Sequence, residues 1–421
     1  MDLKHRVAVV VSCASLLVVT GPYGGAIGQE AGFDTLGQSV TANCDPTPSQ
    51  LGDSSVQDSQ SDRCAKRRLQ EGRKLFDVET FGGNGRTCRT CHSKKTGTFS
   101  PEEALARLAE DPNDPLFLHD GLDDGVAGTT RITEHATVRI EIPLPPDVIL
   151  ADDSTRRSVV LNRGTPTTMN TPALDRFLMY DTREPNLEQQ AFNAIHGHAQ
   201  NTREPTALEL DLIKEFQQTD SRFFSSEALR DFANGGPPPQ LPAGATESEK
   251  RGRAMFDNVP FDGATTRGLC NTCHSGPMLN QFALGNPFGG PPGGRRAGIG
   301  IEERNLIGNP VYSFVVTNPD GSTVVINSSD PGAMLTNPVP APPPGSGFPT
   351  PPRAFFANLF KIPTLWGVKD TAPYFHDNSA KTLEEVAEHY AFFFLTSPST
   401  SGFVFTAQDQ ADMVAFVKLL R

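Results

Sequence analysis

Two short stretches of the chain carry residues spaced for one chemistry. Thr87-Cys88-Arg89-Thr90-Cys91-His92 returns downstream as Leu269-Cys270-Asn271-Thr272-Cys273-His274. Two thiols two residues apart, followed at once by an imidazole, form the attachment pattern of c-type haem. The sulfurs add to the vinyl groups along one porphyrin edge, and the histidine turns under the iron. Other chemistries also use paired thiols. Four cysteines could build a structural zinc site, and one Cys-x-x-Cys could be a thiol redox motif. Neither requires a histidine after each second cysteine. The pattern therefore favours two covalent haems, with His92 and His274 as proximal ligands.

The elements that must position these motifs follow from the start of the chain. Lys4, His5 and Arg6 precede an apolar run from Val7 to Thr20, and Ala26-Ile27-Gly28 offers small residues ahead of Gln29. That order is the order of a secretory signal peptide, here residues 1–28. The apolar run is short for a membrane span, and no later segment is long and apolar enough for one. The expected product is exported, periplasmic and without stable membrane insertion. Of seven cysteines, Cys13 leaves with the signal and four belong to the motifs. Cys44 and Cys64 remain, and in an oxidising compartment they can close a disulfide around a polar loop.

The formal charge is −12, and removing a signal that holds Asp2, Lys4 and Arg6 makes the rest one unit more negative. Such a balance argues against nucleic acid as a partner. It suits a basic electron donor, although a solvated acidic face is the simpler reading.

Residues 29–65, rich in Ser, Asp, Gln and Gly, read as a loosely ordered leader. Gly235-Gly236-Pro237-Pro238-Pro239 opens a linker over residues 235–245. The expected domains are 66–234 and 246–421, each with one motif, the last helix being free to pack back on the first domain. The halves echo one another: Gly72-Arg73-Lys74-Leu75-Phe76-Asp77 leads to Cys88, and Gly252-Arg253-Ala254-Met255-Phe256-Asp257 leads to Cys270. An internal duplication of this kind makes the fold class mainly α: two cytochrome c-like helical domains, each with one covalently bound haem, joined by long Gly/Pro-rich loops. Residues 289–294 and 338–352 are such loops.

With these motifs on the page, the chain resembles the bacterial di-haem cytochrome c peroxidases and their MauG-type relatives. The resemblance rests on both haem motifs, Asn170-Thr171-Pro172-Ala173-Leu174, the segment 187–190, and Ile362-Pro363-Thr364-Leu365-Trp366 running into Thr371-Ala372-Pro373-Tyr374-Phe375-His376-Asp377. It covers most of the chain beyond the signal. It implies that peroxide reacts at the N-terminal haem and that the C-terminal haem stores and relays electrons. The partners it implies are hydrogen peroxide and a small donor protein, a cytochrome c or cupredoxin, or an oxidised protein or organic substrate. The rival outside the enzyme class is a di-haem electron carrier without turnover.

Thr382-Leu383-Glu384-Glu385 reads as a capping box that opens a helix. Leu383, Val386, Ala387, Tyr390 and Phe394 share its apolar face, with His389 about a quarter-turn away. That face presents Tyr390 to a buried haem. The resemblance places a methionine ligand here in the peroxidases and a tyrosine in the MauG-type enzymes; an anionic oxygen ligand lowers the potential of the iron. Core packing for Tyr390, with His389 as the ligand, is the alternative. Asn186-Leu187-Glu188-Gln189 opens another capped helix, which runs toward His196, His198 and Gln200. Gln190 matches a family glutamine. Gln200 stands where the family has its proton-handling glutamate, and a glutamine cannot serve as acid or base. Tyr180 stands where the family places a tryptophan between the haems. His198 titrates in the useful range and could take over the proton work; a helix-end or haem-propionate role is the alternative, and His196 is the weaker candidate.

The remaining residues rank lower. Ala136, Val138, Ile140 and Ile142 alternate as in a strand, which places His135 with Thr137, Arg139 and Glu141 on a polar face. His119 precedes a turn at Asp120-Gly121. Either histidine could ligate iron in a resting state. His376 resembles a propionate-binding residue. The family places calcium between its haems; Asp120, Asp123 and Asp124 are the carboxylates for it, without the alternation of a dedicated calcium loop.

Overall fold

The computed structural model describes residues 54–117, 129–259, 269–286, 290–336, 351–397 and 403–421. Residues 1–64 and 65–421 form separate compact units. The signal segment, Cys13, Cys44, His119, Asp120, Asp123 and Asp124 lie outside the described residues. In the first unit only the opening of the helix Ser54–Asp77 is described, so residues 54–65 of the expected loose leader are helical. Cys64 is disulfide-bonded. Among the described residues no helix is long and apolar enough to cross a membrane.

The duplication read from the sequence is present as packing. Gly72 lies where Ser54–Asp77 crosses the helix Ala207–Thr219; a Cβ there would stand 2.2 Å from the Leu212 carbonyl oxygen and 2.8 Å from Phe216 Cβ. Gly252 lies where Glu247–Asp257 crosses the last helix, Ala407–Val417; a Cβ there would stand 2.0 Å from the Asp412 carbonyl oxygen and 2.7 Å from Phe416 Cβ. Each glycine lets two backbones touch. Four residues on, Phe76 meets Phe216 at 5.7 Å and Phe256 meets Phe416 at 5.3 Å between ring centroids. The second helix of each pair opens with a capping box: Thr206 with Glu209, and Thr406 with Asp409. The last helix thus packs on Glu247–Asp257 in its own half. Even so, residues 65–421 cluster as one unit, and one apolar core contains Phe76, Phe216, Phe256 and Phe416 together.

The expectation of a mainly α chain with little strand needs correction. β1 (Thr137–Pro143), β2 (Val148–Leu150), β3 (Ser158–Gly164), β4 (Arg296–Ala297), β5 (Tyr312–Thr317), β6 (Thr323–Ser328) and β7 (Phe360–Lys361) are strands. They pair antiparallel as β1-β3, β2-β5-β6 and β4-β7. A second apolar cluster gathers on them, from Ile140, Ile142, Val159 and Leu161 to Phe314 and Val316. β-Branched residues at every second position fit a pleated, half-buried surface better than a helix. The alternation around β1 holds for Ile140 and Ile142, which are buried, and Glu141, which is exposed. His135, however, ends a helix, Thr129–His135, and Thr137 is fully buried.

The helix Leu383–Thr396 begins where expected. The Thr382 hydroxyl accepts the Glu385 N–H at 3.1 Å, but the Glu385 carboxylate takes the N–H of Lys381 instead of completing the box with Thr382. Asn186 caps the helix Leu187–Ala194 by accepting the Gln189 N–H at 2.8 Å. That helix then widens into a π turn, Ile195–Ala199, a feature that often marks a functional segment.

Candidate functional site

Both cysteine motifs fold as the same single turn, Cys88–Cys91 and Cys270–Cys273. The threonine inside each motif closes it. The Thr90 hydroxyl accepts the Thr87 N–H at 2.9 Å, and the Thr272 hydroxyl donates to the Leu269 carbonyl. The backbone N–H of each histidine reaches the carbonyl of the first cysteine, at 3.0 Å for His92 and 2.8 Å for His274. The turn therefore fixes the backbone of each histidine against the first cysteine of its pair.

The rings are then held in the same way. Nδ1 of His92 lies 2.7 Å from the Gly97 carbonyl oxygen, and Nδ1 of His274 lies 2.8 Å from that of Leu279. A carbonyl can only accept, so Nδ1 carries the proton and Nε2 keeps its lone pair for a metal. Burial lowers the pKa of His92 to about 4, against the Gly97 carbonyl. Burial also lowers His274, with the carbonyls of Leu279 and Pro363 pulling the other way. Both imidazoles are neutral at neutral pH, as ligation requires.

The thiols answer the competing readings. Burial pushes Cys88 and Cys270 up to about 12 and Cys273 up to about 11. These are not the low-pKa thiolates of a redox motif. Among the described residues, no three His, Cys, Asp or Glu side chains gather as a metal site, so the two pairs do not form a four-thiolate zinc centre. The donor set fits two separate c-type haems.

Around the second motif a cavity of about 870 Å³ is lined by Cys270, Cys273, His274, Tyr390 and a largely apolar wall. Burial raises the Tyr390 phenol, and the sulfurs of Cys273 and Cys270 add to the shift. Without a metal the group stays protonated; a bound cation reverses that preference. His389 is 1 % exposed but is committed elsewhere: Nε2 donates to the Ile299 carbonyl at 2.8 Å, and Nδ1 faces Arg304 at 3.4 Å. The helix accordingly offers Tyr390 to the cavity and spends His389 on a loop.

Tyr180 and His376 line the same cavity. They occupy matching places in two copies of one loop. Leu178 bridges Glu184 and Tyr374 bridges Ala380. The left-handed residues Met179 and Thr182 in the first copy (φ 64° and 62°) correspond to Phe375 and Asn378 in the second (φ 69° and 59°). The two rings meet edge-on with centroids 6.4 Å apart, and His376 stacks on Phe360 at 3.8 Å and 9°.

On the side of the first motif, His198 stands close enough to His92 for its charge to lower that group further. The backbone fixes this placement, since Nδ2 of Asn84 and a guanidinium nitrogen of Arg86 both donate to the His198 carbonyl, at 3.0 and 3.5 Å. The other residues of this helix point elsewhere. His196 is exposed and pairs with Glu204 at 2.9 Å. Gln200 is exposed, in a left-handed backbone conformation, with Asn84 at 3.4 Å. Gln190 is half-buried on the helix Leu187–Ala194.

A buried ionic cluster beside the cavity was not singled out from the sequence. Arg163 donates to Asp330 at 2.6 and 2.9 Å and to Asp181 at 2.6 Å, all three side chains being at most 3 % exposed. Arg163 and Asp330 are 167 residues apart, so no local pattern announces the pair. Glu302 sits against the same cluster and lines the cavity. The signal that could have flagged it is an acidic residue directly after Ile301 in a Gly-rich stretch, which is faint.

No protein-family model and no curated protein matches the chain. Among solved structures it is similar to a MauG-like protein associated with microbial copper homeostasis, at 19 % identity and a TM-score of 0.44, over 84 % of this chain and 88 % of that one. It is similar to hydrazine synthase of Kuenenia stuttgartiensis at 14 % identity and a TM-score of 0.39, over 96 % of this chain and 99 % of that one. It is similar to the diheme peroxidase BthA from Burkholderia thailandensis at 14 % identity and a TM-score of 0.44, over 84 % of this chain and 86 % of that one.

Proposed function

We propose that the protein is an exported di-haem c-type oxidoreductase. In this reading it reacts with hydrogen peroxide at the Cys88/Cys91 site and passes electrons through the Cys270/Cys273 site. The electrons come from a small donor protein or from a protein or organic substrate that is oxidised. The single observation that carries the reading is the repeated turn: two cysteine pairs, each followed by a neutral imidazole whose Nδ1 is tied to a backbone carbonyl. When bound, the haems supply the one-electron and peroxide chemistry.

The residues then divide the work. His92 and His274 would hold the haem irons through Nε2. Tyr390, on a helix capped by Thr382 and lining a largely apolar cavity, would be a further ligand in the second site. Tyr180, edge-on to His376, lies on the electron path where the family has a tryptophan. His198 exchanges protons near the first site, with Gln190 as a positioning group on the helix that carries it. Gln200 has no proton to give. The missing carboxylate at that place, together with Tyr390, favours oxidation of a partner over simple peroxide removal.

A second reading rests on His198. An imidazole facing His92 can also close the first site as a sixth ligand, which would leave an electron carrier. Low-temperature EPR of the purified diferric protein, followed by stoichiometric peroxide, separates the two. One high-spin and one low-spin signal, both lost rapidly with peroxide, support the enzyme. Two low-spin signals that ignore peroxide, before and after half-reduction, sink it. Turnover with reduced cytochrome c then separates peroxide removal from partner oxidation.

A further inference from the structure

Glu302 is a carboxyl for which the proposed haem sites leave no role. It sits on the short helix Ile301–Arg304, its side chain is 2 % exposed, and it lines the cavity shared by Tyr390, Tyr180 and His376. Its Oε1 is buried with no hydrogen-bond partner among the described residues. Nε2 of His376 lies 3.2 Å from that oxygen, off the line of a hydrogen bond as they stand, and a rotation of the Glu302 carboxyl about its own side chain brings the two into line for proton transfer. The His376 ring cannot drift far, because it stacks on Phe360.

The charges around the pair isolate Glu302. Arg163 is shared between Asp181 and Asp330; Arg183 and Arg296 also face Asp181. Asp330, Asp377 and Glu303 face Glu302 with the same sign as its own carboxylate. An ionised Glu302 would add a buried negative charge with no guanidinium paired to it among the described residues, and such charges are costly. Burial, helped by those neighbours, raises its pKa well above the ordinary carboxylate range. Burial likewise lowers His376, so its imidazole is neutral.

We propose that Glu302 is a redox-linked proton-holding group, protonated when the cavity is reduced and releasing its proton when a one-electron oxidant removes an electron. The electron would leave the haem held at Cys270/Cys273 and go to a one-electron oxidant, the mediator in a titration or the oxidised first haem site in turnover; the O–H bond of Glu302 breaks, Nε2 of His376 is the first proton acceptor, and water is the last. One electron and one proton leave together, so the cavity keeps its charge. The step rests on the haem reading above and concerns the Cys270/Cys273 site.

The test uses the holoprotein with both haems. Spectroelectrochemical titration from mildly acidic to mildly alkaline pH reads the midpoint potential of the tyrosine-ligated haem. The wild type is expected to fall by close to 59 mV per pH unit, the value for one proton per electron. E302Q, of equal size, is expected to flatten the slope, and D377N to keep it. An unchanged slope in E302Q overturns the proposal. Should E302Q not fold, redox-difference infrared spectra of the wild type decide: a protonated carboxyl band that disappears on oxidation supports the step, and its absence overturns it. A wild type that takes up no haem overturns both readings. A loaded wild type with a pH-independent potential overturns this one alone.

Discussion

The two haem motifs are built as one turn and used against two different surroundings. Within the motif turn the halves agree closely: a threonine closes it, and a carbonyl five residues past the histidine holds its Nδ1. In what surrounds the turn they diverge. Near the first motif is His198, on a π turn whose neighbours His196 and Gln200 are exposed. The second faces Tyr390 on a regular capped helix, inside a largely apolar cavity. Duplication therefore preserves what any c-type haem needs, namely attachment, a neutral imidazole and a fixed tautomer. It leaves free what sets reactivity, the far-side ligand and the access of water.

The largest expected effect breaks the common part. C88S/C91S and C270S/C273S should each remove one covalent haem and spare the other, counted as pyridine haemochrome that stays with the denatured chain. If one double variant lost both haems, the halves would not be independent attachment units. Next in size is the divergent part. Y390F should convert the low-spin EPR signal of the second haem while leaving the first unchanged, and H198Q should act only on the first. A Y390F spectrum identical to wild type would return Tyr390 to ordinary core.

How far the sequence could be read follows the same division. The cysteine–histidine spacing, the glycine–phenylalanine echo at Gly72 and Gly252, and the caps at Asn186 and Thr382 are local patterns, and local patterns are legible. The paired capping boxes at Thr206 and Thr406 were equally local and could have been found by aligning the halves. Glu302 and the Arg163–Asp330 pair were not legible. Their partners lie far along the chain, and a charged residue is expected to face solvent unless something distant buries it. The strands β5 and β6 lie between Gly/Pro-rich stretches and belong to neither copy of the helical repeat. His389 is instructive: helical phase set it about a quarter-turn from the apolar face, but gave no sign that its ring would meet the Ile299 carbonyl and Arg304.

The helix crossings give smaller, matched effects. G72A and G252A each force a methyl against a carbonyl at the point of closest approach. Overpacking of this kind should cost about 1–3 kcal/mol in either half, measured by thermal or denaturant unfolding of the holoprotein. Equal losses would confirm that both crossings are set by backbone contact. A loss in one alone would mean that the other crossing can slide.

The smallest effect distinguishes the crossings by pH. Asp412 stands in the second where Leu212 stands in the first. Burial works against the Asp412 charge, but Arg251, Ser248 and Gln408 hold its pKa below the usual carboxylate range. Because the folded value is depressed, the stabilisation is present above the unfolded pKa of about 3.9 and is lost as pH falls through the folded value. D412N should therefore lower stability at neutral pH and narrow its difference from wild type under acid, below about pH 4. L212A, by contrast, should leave a cavity and destabilise the first crossing by an amount that does not change with pH. A pH-independent D412N penalty would mean that its hydrogen bonds, rather than its charge, hold the second crossing together.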